Sequence, residues 1–164
     1  MTTAETYINI NLSQQRLLLH ADNRIVMDVA VSTAANGAGE ILASECTPRG
    51  LHYIRARIGA DCPLNTVFRG RRPTGEIYSP TLAQQYPGRD WILTRILWLC
   101  GQEPGKNRLG NVDTMRRYIY IHGTPDDTVL GQPGSHGCIR MGNADVIRLF
   151  DLVDVGTRVV IGEE

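Results

Sequence analysis

His136, Gly137 and Cys138 follow one another in a segment whose residue types suit nucleophilic chemistry. A predicted helix begins a few residues further on, after Asn143. A protonated imidazole and a helix amino terminus both stabilise a thiolate, and they lower the pKa of a cysteine from its ordinary value of about 8.5. The sequence therefore predicts that Cys138 is a reactive thiol with a depressed pKa, unlike the other three cysteines.

The neighbours of Cys138 offer the remaining parts of an acyl-transfer site. Gly137 lets the backbone approach a reacting carbonyl, and the N–H groups of Gly137 and Cys138 can point at a developing oxyanion. His122 lies far enough upstream for the chain to fold back and place it beside the thiol as a base. Two other readings stay open. One is a small buried cysteine with an unrelated hydrogen-bonded histidine. The other is a zinc site of His122, His136 and Cys138, which lacks an evident further ligand.

The order of these residues resembles a known family. His122-Gly123-Thr124, a spacer, and then Ser135-His136-Gly137-Cys138-Ile139-Arg140-Met141 resemble the signature of the YkuD-type L,D-transpeptidase catalytic domain. Many members carry Asn where Arg140 stands. The segments Gln15-Arg16-Leu17, Val31-Ser32-Thr33 and Thr47-Pro48-Arg49-Gly50 also look like this family, so the similarity covers nearly the whole chain.

This resemblance implies a mainly β fold, a single domain over residues 1–164 of packed mixed sheets with one or two short helices. It also implies cleavage of the bond between the L-centred diamino residue and the following D-alanine of a peptidoglycan stem peptide. Carried over by position, Cys138 is the nucleophile and His122 the base. Gly123 offers a carbonyl that orients His122, while His136 and Gly137 complete the catalytic set.

Arginines are predicted to bind the substrate, because stem peptides carry carboxylates and a guanidinium binds a carboxylate with two hydrogen bonds. Arg140 suits this role, although it can equally stabilise the site structurally. The cluster of Arg69, Arg71 and Arg72 usually indicates a solvated loop, and a contact of one of them with substrate is the alternative. The predicted substrate-binding residues are Ser135, Arg140, Arg71 and Arg72.

The charge and composition of the sequence restrict the classes of molecule that the protein is expected to bind. Lys plus Arg and Asp plus Glu number 17 each, so nothing indicates binding to nucleic acid or to an anionic membrane. Cys46, Cys62 and Cys100 form no C-x-x-C pair and are expected to be core or loop thiols, while His20 and His52 are expected to pack in strands. We expect no cofactor and no metal, and stem tetrapeptides as partners.

The reaction depends on where the protein works. The first ten residues lack the pattern of a signal peptide, and no apolar run approaches the roughly 18 to 20 residues of a membrane span. These features predict a cytoplasmic L,D-carboxypeptidase of peptidoglycan recycling, which resolves the acyl-enzyme with water. The alternatives are an envelope L,D-transpeptidase whose export segment is not part of this sequence, and a non-catalytic peptidoglycan-binding module.

Periodicity predicts the elements that position these residues. Alternating runs at 7–12, 16–20 and 25–31 predict antiparallel hairpins, and 51–58 predicts a further strand. Residues 59–89 show little periodicity and predict a long functional loop. The apolar run 91–100 favours a buried strand, 117–122 a strand ending at Gly123, and 158–161 a last strand. Asn143 is predicted to cap a helix over 144–152.

Overall fold

The computed structural model describes residues 5–164, and most of their regular structure is β-strand. The ten strands are β1 (Tyr7–Asn11), β2 (Arg16–Ala21), β3 (Arg24–Ser32), β4 (Gly50–Ile58), β5 (Thr66–Arg69), β6 (Arg72–Ile77), β7 (Leu93–Gly101), β8 (Tyr120–Gly123), β9 (Ile139–Met141) and β10 (Arg158–Gly162). The helices are α1 (Pro80–Gln85) and α2 (Asn143–Leu152), with a short 3-10 turn at Gly110–Val112. The predicted mainly β class with short helices is confirmed.

The first three strands form the predicted antiparallel hairpins. Ile8 and Ile10 of β1, like Leu17 and Leu19 of β2, are fully buried, because alternate residues of a strand face the same side. The turns are short, and Gln15 adopts a positive φ of 54° at the first of them. These hairpins could be predicted from the sequence because one face of each strand is apolar and the segments between the strands are polar.

The sheet is mixed and closes on itself. Its strand order is β4-β10-β1-β2-β3-β9-β8-β7-β5-β6, and β4 pairs additionally with β7. This pairing joins the first eight strands of that order, which begins with β4 and reaches β7, into a closed ring. It leaves β5 and β6 as a hairpin attached to β7. Most neighbours are antiparallel, but β1 pairs with β10 and β8 with β9 in parallel.

Two apolar clusters lie on opposite faces of β7, β8 and β9. The larger cluster contains Leu97 and Ile121 and is covered by α2 through Leu149. Strand alternation sends Ile96 and Tyr120 to the other face, where they form a smaller cluster with Phe68 of β5. Trp98 and Cys138 pack against this smaller cluster, which therefore forms the floor of the predicted site.

The prediction of a long irregular loop over residues 59–89 is wrong. This segment contains the hairpin β5–β6 and the helix α1. Gly70 and Arg71 make a tight turn at the hairpin tip, with φ of 56° and 64°, and such mirror-image turns suit the twist of a hairpin. The signal was missing because β6 is exposed along nearly its whole length, so no apolar alternation marks it.

The prediction that Asn143 caps the helix is also wrong. The cap position of α2 is Gly142, without a side-chain hydrogen bond, and Asn143 is the first helical residue with a buried side chain. The helix does not begin beside Cys138 either, because β9 lies between the two. No helix within residues 5–164 is long and apolar enough to cross a membrane.

Candidate active site

The register of β8 and β9 brings the predicted nucleophile and base to the same face of the sheet. His122 pairs with Arg140 and Ile121 with Ile139, so Cys138 lies beside Tyr120 at the start of β9. Alternation then directs Tyr120, His122, Cys138 and Arg140 to one side. Cys138 and His122 are therefore diagonal neighbours across this parallel pair of strands.

The ring of His122 is buried and held by its own strand. Nδ1 lies 2.6 Å from the carbonyl oxygen of Gly123, which can only accept a hydrogen bond, so Nδ1 carries the hydrogen. Nε2 therefore carries the lone pair and can take up a proton. Burial lowers the pKa of His122, against smaller opposing effects of the Gly123 carbonyl and Asp90. The predicted contact between Gly123 and His122 is present.

The thiol of Cys138 lies between two tyrosine backbones. The Tyr120 N–H donates to Sγ at 3.3 Å, and the thiol donates to the Tyr118 carbonyl at 3.4 Å. Burial of the sulfur, with a smaller contribution from Asp90, raises the pKa of Cys138 from 9.0 to about 12. The side chain keeps partial exposure, so a reagent can reach it.

The prediction of a depressed pKa at Cys138 is therefore wrong. Its two sources are missing, since α2 begins after β9 and His136 points outwards with 63% of its side chain exposed. The resting pair consists of a neutral thiol and a neutral imidazole. Such a pair can react by general-base catalysis, in which the imidazole takes the thiol proton during attack.

The loop before Cys138 is tied together by Ser135. The buried Ser135 hydroxyl donates to the Cys138 carbonyl at 2.6 Å and accepts from the Gly137 N–H at 3.2 Å. The Gly137 N–H is thus occupied, and within residues 5–164 no backbone oxygen accepts from the Cys138 N–H. Of the two predicted oxyanion donors, Cys138 is the free one. The predicted substrate contact of Ser135 stays a prediction that this geometry does not favour.

Gly137 is required by space as well as by conformation. Its φ is +129°, and a Cβ there would lie 3.2 Å from the carbonyl oxygen of Cys46. The Gly137 carbonyl in turn accepts from Thr47 at 2.9 Å. Any side chain at this position would push the nucleophile's loop away from the segment around Cys46.

Asp90 is a site residue that sequence reasoning missed. Its carboxylate accepts from Arg140 Nη2 at 2.9 Å and lies 3.7 Å from His136 Nδ1. Arg140 also donates to the Gly134 carbonyl at 3.0 Å. Burial opposes ionisation of Asp90, but its interactions with the His122 ring and with the Arg140 guanidinium outweigh burial and lower the pKa of Asp90. The predicted carboxylate-binding site on Arg140 is therefore already occupied by an internal carboxylate.

Arg71 is the member of the arginine cluster that reaches the site. It donates to the Tyr120 hydroxyl at 3.0 Å, and its guanidinium lies 4.6 Å from the ring centroid of Tyr118 and 4.9 Å from that of Trp98. Because Tyr118 and Tyr120 both contact the thiol, the hairpin tip lies beside the nucleophile. Arg69 and Arg72 are exposed on the hairpin, and their predicted roles stay predictions.

Two open clefts lie near Asp90 and His136. One of about 320 Å³ has a lining that includes Asp90, Trp91, Thr124 and Arg140. The other, of about 300 Å³, is lined by Leu42, Arg116, Tyr118 and His136. His136 and Asp90 are neighbours at the rim, so the two clefts lie on either side of them.

The remaining cysteines and histidines lie outside this constellation. Cys46, Cys62 and Cys100 are free thiols, His20 stacks on Tyr7, and the buried His52 is hydrogen-bonded to Thr114. Residues 5–164 contain no group of three or more His, Cys, Asp or Glu side chains arranged to hold a metal ion. The zinc alternative thus gains no support from these contacts.

Comparison with known proteins gives one consistent result. Residues 5–161 match the L,D-transpeptidase catalytic domain (YkuD) family. A putative L,D-transpeptidase YkuD of Bacillus subtilis is 48% identical over 97% of this chain and 67% of its own length. The catalytic domain of the Enterococcus faecium L,D-transpeptidase superposes with a TM-score of 0.52 at 18% identity, covering 99% of this chain and 100% of that domain.

A further solved relative carries a ligand. L,D-transpeptidase 3 of Mycobacterium tuberculosis, in complex with a faropenem-derived adduct, superposes with a TM-score of 0.59 at 15% identity, over 96% of this chain and 60% of that one. The chain spans 27%, 67% and 35% of the length of the first three curated relatives that it matches. With a family match over nearly its whole length, the chain belongs to the L,D-transpeptidase catalytic domain (YkuD) family.

Proposed function

We propose that this protein is a cysteine L,D-carboxypeptidase that removes the terminal D-alanine from peptidoglycan stem tetrapeptides, in the recycling of wall fragments. The observation that carries the proposal is the placement of Cys138 and His122 on one face of β8 and β9. Membership of the L,D-transpeptidase family supports the substrate class. The predicted cytoplasmic location stays a prediction.

The reaction proceeds in two halves. The Cys138 sulfur attacks the carbonyl carbon of the diamino residue while its proton moves to Nε2 of His122, and the oxyanion accepts from the Cys138 N–H. The C–N bond breaks, the D-alanine nitrogen takes the proton from His122, and a thioester remains. Water then attacks this thioester, gives a proton to His122, and the C–S bond breaks as sulfur regains that proton.

Arg71 is the arginine best placed to bind the carboxylate of the terminal D-alanine. Its contacts are aromatic rings and a neutral hydroxyl, and among the described residues no carboxylate forms an ion pair with it. Arg140, in contrast, is paired with Asp90. A free carboxylate beside Arg71 gains charge-assisted hydrogen bonds without displacing an internal partner.

An L,D-transpeptidase is the second candidate, favoured by the names of the relatives. It would use the same acyl-enzyme and resolve it with an amine of a second stem. A non-catalytic binding module is a weaker alternative, because it would not require a buried histidine whose Nδ1 hydrogen is fixed by a backbone carbonyl on the strand beside Cys138.

Incubation with a disaccharide tetrapeptide, with and without a diamino acceptor, separates these functions by product mass. The carboxypeptidase releases D-alanine and leaves the tripeptide even when acceptor is present, whereas preferential joining of the acceptor identifies a transpeptidase. Arg71→Ala should lower kcat/KM on tetrapeptide roughly 10- to 100-fold, since hydrogen bonds to charged groups contribute roughly 1.5 to 3 kcal/mol.

Arg24→Ala is the control for Arg71, because Arg24 is an exposed arginine at the end of β3 that is remote from the pairing of β3 with β9. It should keep the kcat/KM of the parent protein. A substrate with an amidated terminal carboxylate should be processed slowly by the parent and equally slowly by Arg71→Ala. Equal efficiencies of all three proteins on free tetrapeptide would remove Arg71 from the substrate site.

A further inference from the structure

A cluster of buried polar side chains lies directly behind the strand that carries His122. Asn143 and Thr94 are 4% and 0% exposed, and the Thr94 hydroxyl donates to Asn143 Oδ1 at 2.6 Å. The Asn143 amide nitrogen donates to the Thr124 carbonyl at 2.9 Å and to Asn65 Oδ1 at 3.1 Å. It also lies 3.2 Å from Asp126 Oδ1. Each polar group of Asn143 therefore has a partner.

This cluster packs against Gly123, the residue whose carbonyl oxygen accepts a hydrogen bond from the His122 ring. A Cβ on Gly123 would lie 2.3 Å from Asn143 Oδ1 and 2.6 Å from the Leu93 carbonyl oxygen. Gly123 is thus packed against the amide of Asn143 on one side, while its own carbonyl accepts from His122 Nδ1 on the other. The next carbonyl along the chain, that of Thr124, is held by Asn143 as well.

The strand facing His122 and Gly123 is irregular at the point where it meets Asn143. The β7–β8 register shifts between Leu93 and Ile96, and Thr94 in this bulge has a φ of +75°. A β-branched residue rarely adopts this conformation, and it persists only where its surroundings impose it. Here the Thr94 hydroxyl accepts from the Asn65 N–H at 3.1 Å and donates to Asn143.

We propose that Asn143, supported by Thr94, is the positioning residue of this active site: it fixes the Gly123 carbonyl against Nδ1 of His122. The hydrogen of the neutral ring then stays on Nδ1, and the lone pair of Nε2 faces Cys138. Asn143 acts through Gly123 and touches neither thiol nor substrate. The inference rests on the proposed function only in taking His122 as the base.

A merely structural role for Asn143 makes a different prediction. In that case its removal would lower stability and leave the tautomer of His122 unchanged in the folded protein. Asn107 provides the matched control, because it is also fully buried, accepts from the Glu103 N–H and donates to the Arg49 and Leu51 carbonyls. Asn107→Ala removes comparable hydrogen bonds from a region that has no contact with His122.

The test is two-dimensional ¹H–¹⁵N NMR of the imidazole rings at neutral pH, with the His122 signals assigned through a His122→Ala spectrum. The parent protein and Asn107→Ala should show His122 as the Nδ1–H tautomer alone. Asn143→Ala should show a mixture with the Nε2–H tautomer. An unchanged Nδ1–H pattern in folded Asn143→Ala overturns the proposal.

Thr94→Gly keeps the test decisive if Asn143→Ala does not fold. Glycine adopts a positive φ without strain, so this variant relieves the backbone while removing the hydroxyl that orients Asn143. A mixed His122 tautomer in Thr94→Gly supports the proposal, and a pure Nδ1–H tautomer contradicts it.

Acylation of the thiol by a penem, followed by intact mass, separates this proposal from the proposed function. The acylation rate should fall in proportion to the Nδ1–H population, so a variant that keeps about a tenth of this tautomer should acylate about tenfold more slowly than Asn107→Ala. If the tautomer shifts while acylation keeps its rate, Asn143 does position His122, but His122 is not the base. That result would refute the proposed mechanism and leave the positioning role standing.

Discussion

The reaction of Cys138 with iodoacetamide tests the neutral resting pair, because this reagent needs the thiolate and makes no use of a general base. A pKa of about 12, in place of 9.0, leaves the thiol almost wholly protonated at neutral pH. At pH 7 the thiolate fraction falls from about one in a hundred to about one in a hundred thousand. Because a thiolate of higher pKa is also more nucleophilic, with a Brønsted coefficient of about 0.4 to 0.5, we expect Cys138 to react roughly 30- to 60-fold more slowly than a small thiol of ordinary pKa.

The assay follows adduct formation by peptide mass mapping between pH 6 and 11, with N-acetylcysteine as the reference thiol and Cys138→Ala as the blank. The rate at Cys138 should rise tenfold for each pH step throughout this range. His122→Ala should barely change alkylation, because the neutral ring contributes no charge to the thiol. The same variant should lose its acylation by a peptide or penem by 100-fold or more, since the base is missing.

A plateau of the alkylation rate below pH 8 would refute this reasoning, because it would reveal a thiolate paired with a protonated His122. In that case His122→Ala would also slow alkylation at neutral pH. The two variants and the pH profile therefore decide between a preformed ion pair and proton transfer during attack.

Further expectations follow from burial and charge. A carbapenem should add one adduct to the parent protein and none to Cys138→Ala by intact mass. Gly137→Ala should acylate at least tenfold more slowly, because its Cβ would crowd the Cys46 carbonyl. Burial lowers the pKa of His52 to about 4, so the unfolded chain binds the proton first as pH falls below 6.5. The free energy of unfolding, measured in urea, should then drop by up to about 3 kcal/mol between pH 6.5 and 4, and His52→Gln should flatten this dependence. Asp90→Asn should speed alkylation and slow penem acylation.

The strands with one apolar and one polar face could be predicted from the sequence, and so could the motif that contains His122 and Cys138. The contacts between residues far apart in the chain could not. The hairpins of β1 to β3 were predictable because apolar residues alternate with polar ones. The β5–β6 hairpin was not, since β6 has no apolar face. Asp90 lies 50 residues before Arg140, and no local pattern links a carboxylate to a guanidinium at that separation.

Asn143 shows a second limit of sequence reasoning. An asparagine ahead of an apolar helical pattern predicts a cap, and the pattern is the same whether its side chain turns to the helix end or into the interior. Tertiary packing determines the orientation of this side chain, because the Asn143 amide forms hydrogen bonds with four partners behind Gly123. The helix cap is therefore Gly142. The error in the predicted pKa of Cys138 has the same origin, since burial in the fold outweighs the residue types nearby.

The charges around the nucleophile explain how a thiol with a high pKa can serve catalysis. Asp90 raises the pKa of both Cys138 and His122, whereas Arg140 lowers both. A thiolate formed alone is therefore disfavoured by the carboxylate, but an imidazolium formed at His122 is stabilised by it. During attack the negative charge moves from sulfur to the substrate oxygen while the proton moves to His122, so the effect of Asp90 changes from inhibitory to favourable. In the proposed mechanism, these charges disfavour a resting thiolate and favour transfer of the proton to His122 during attack on a carbonyl group.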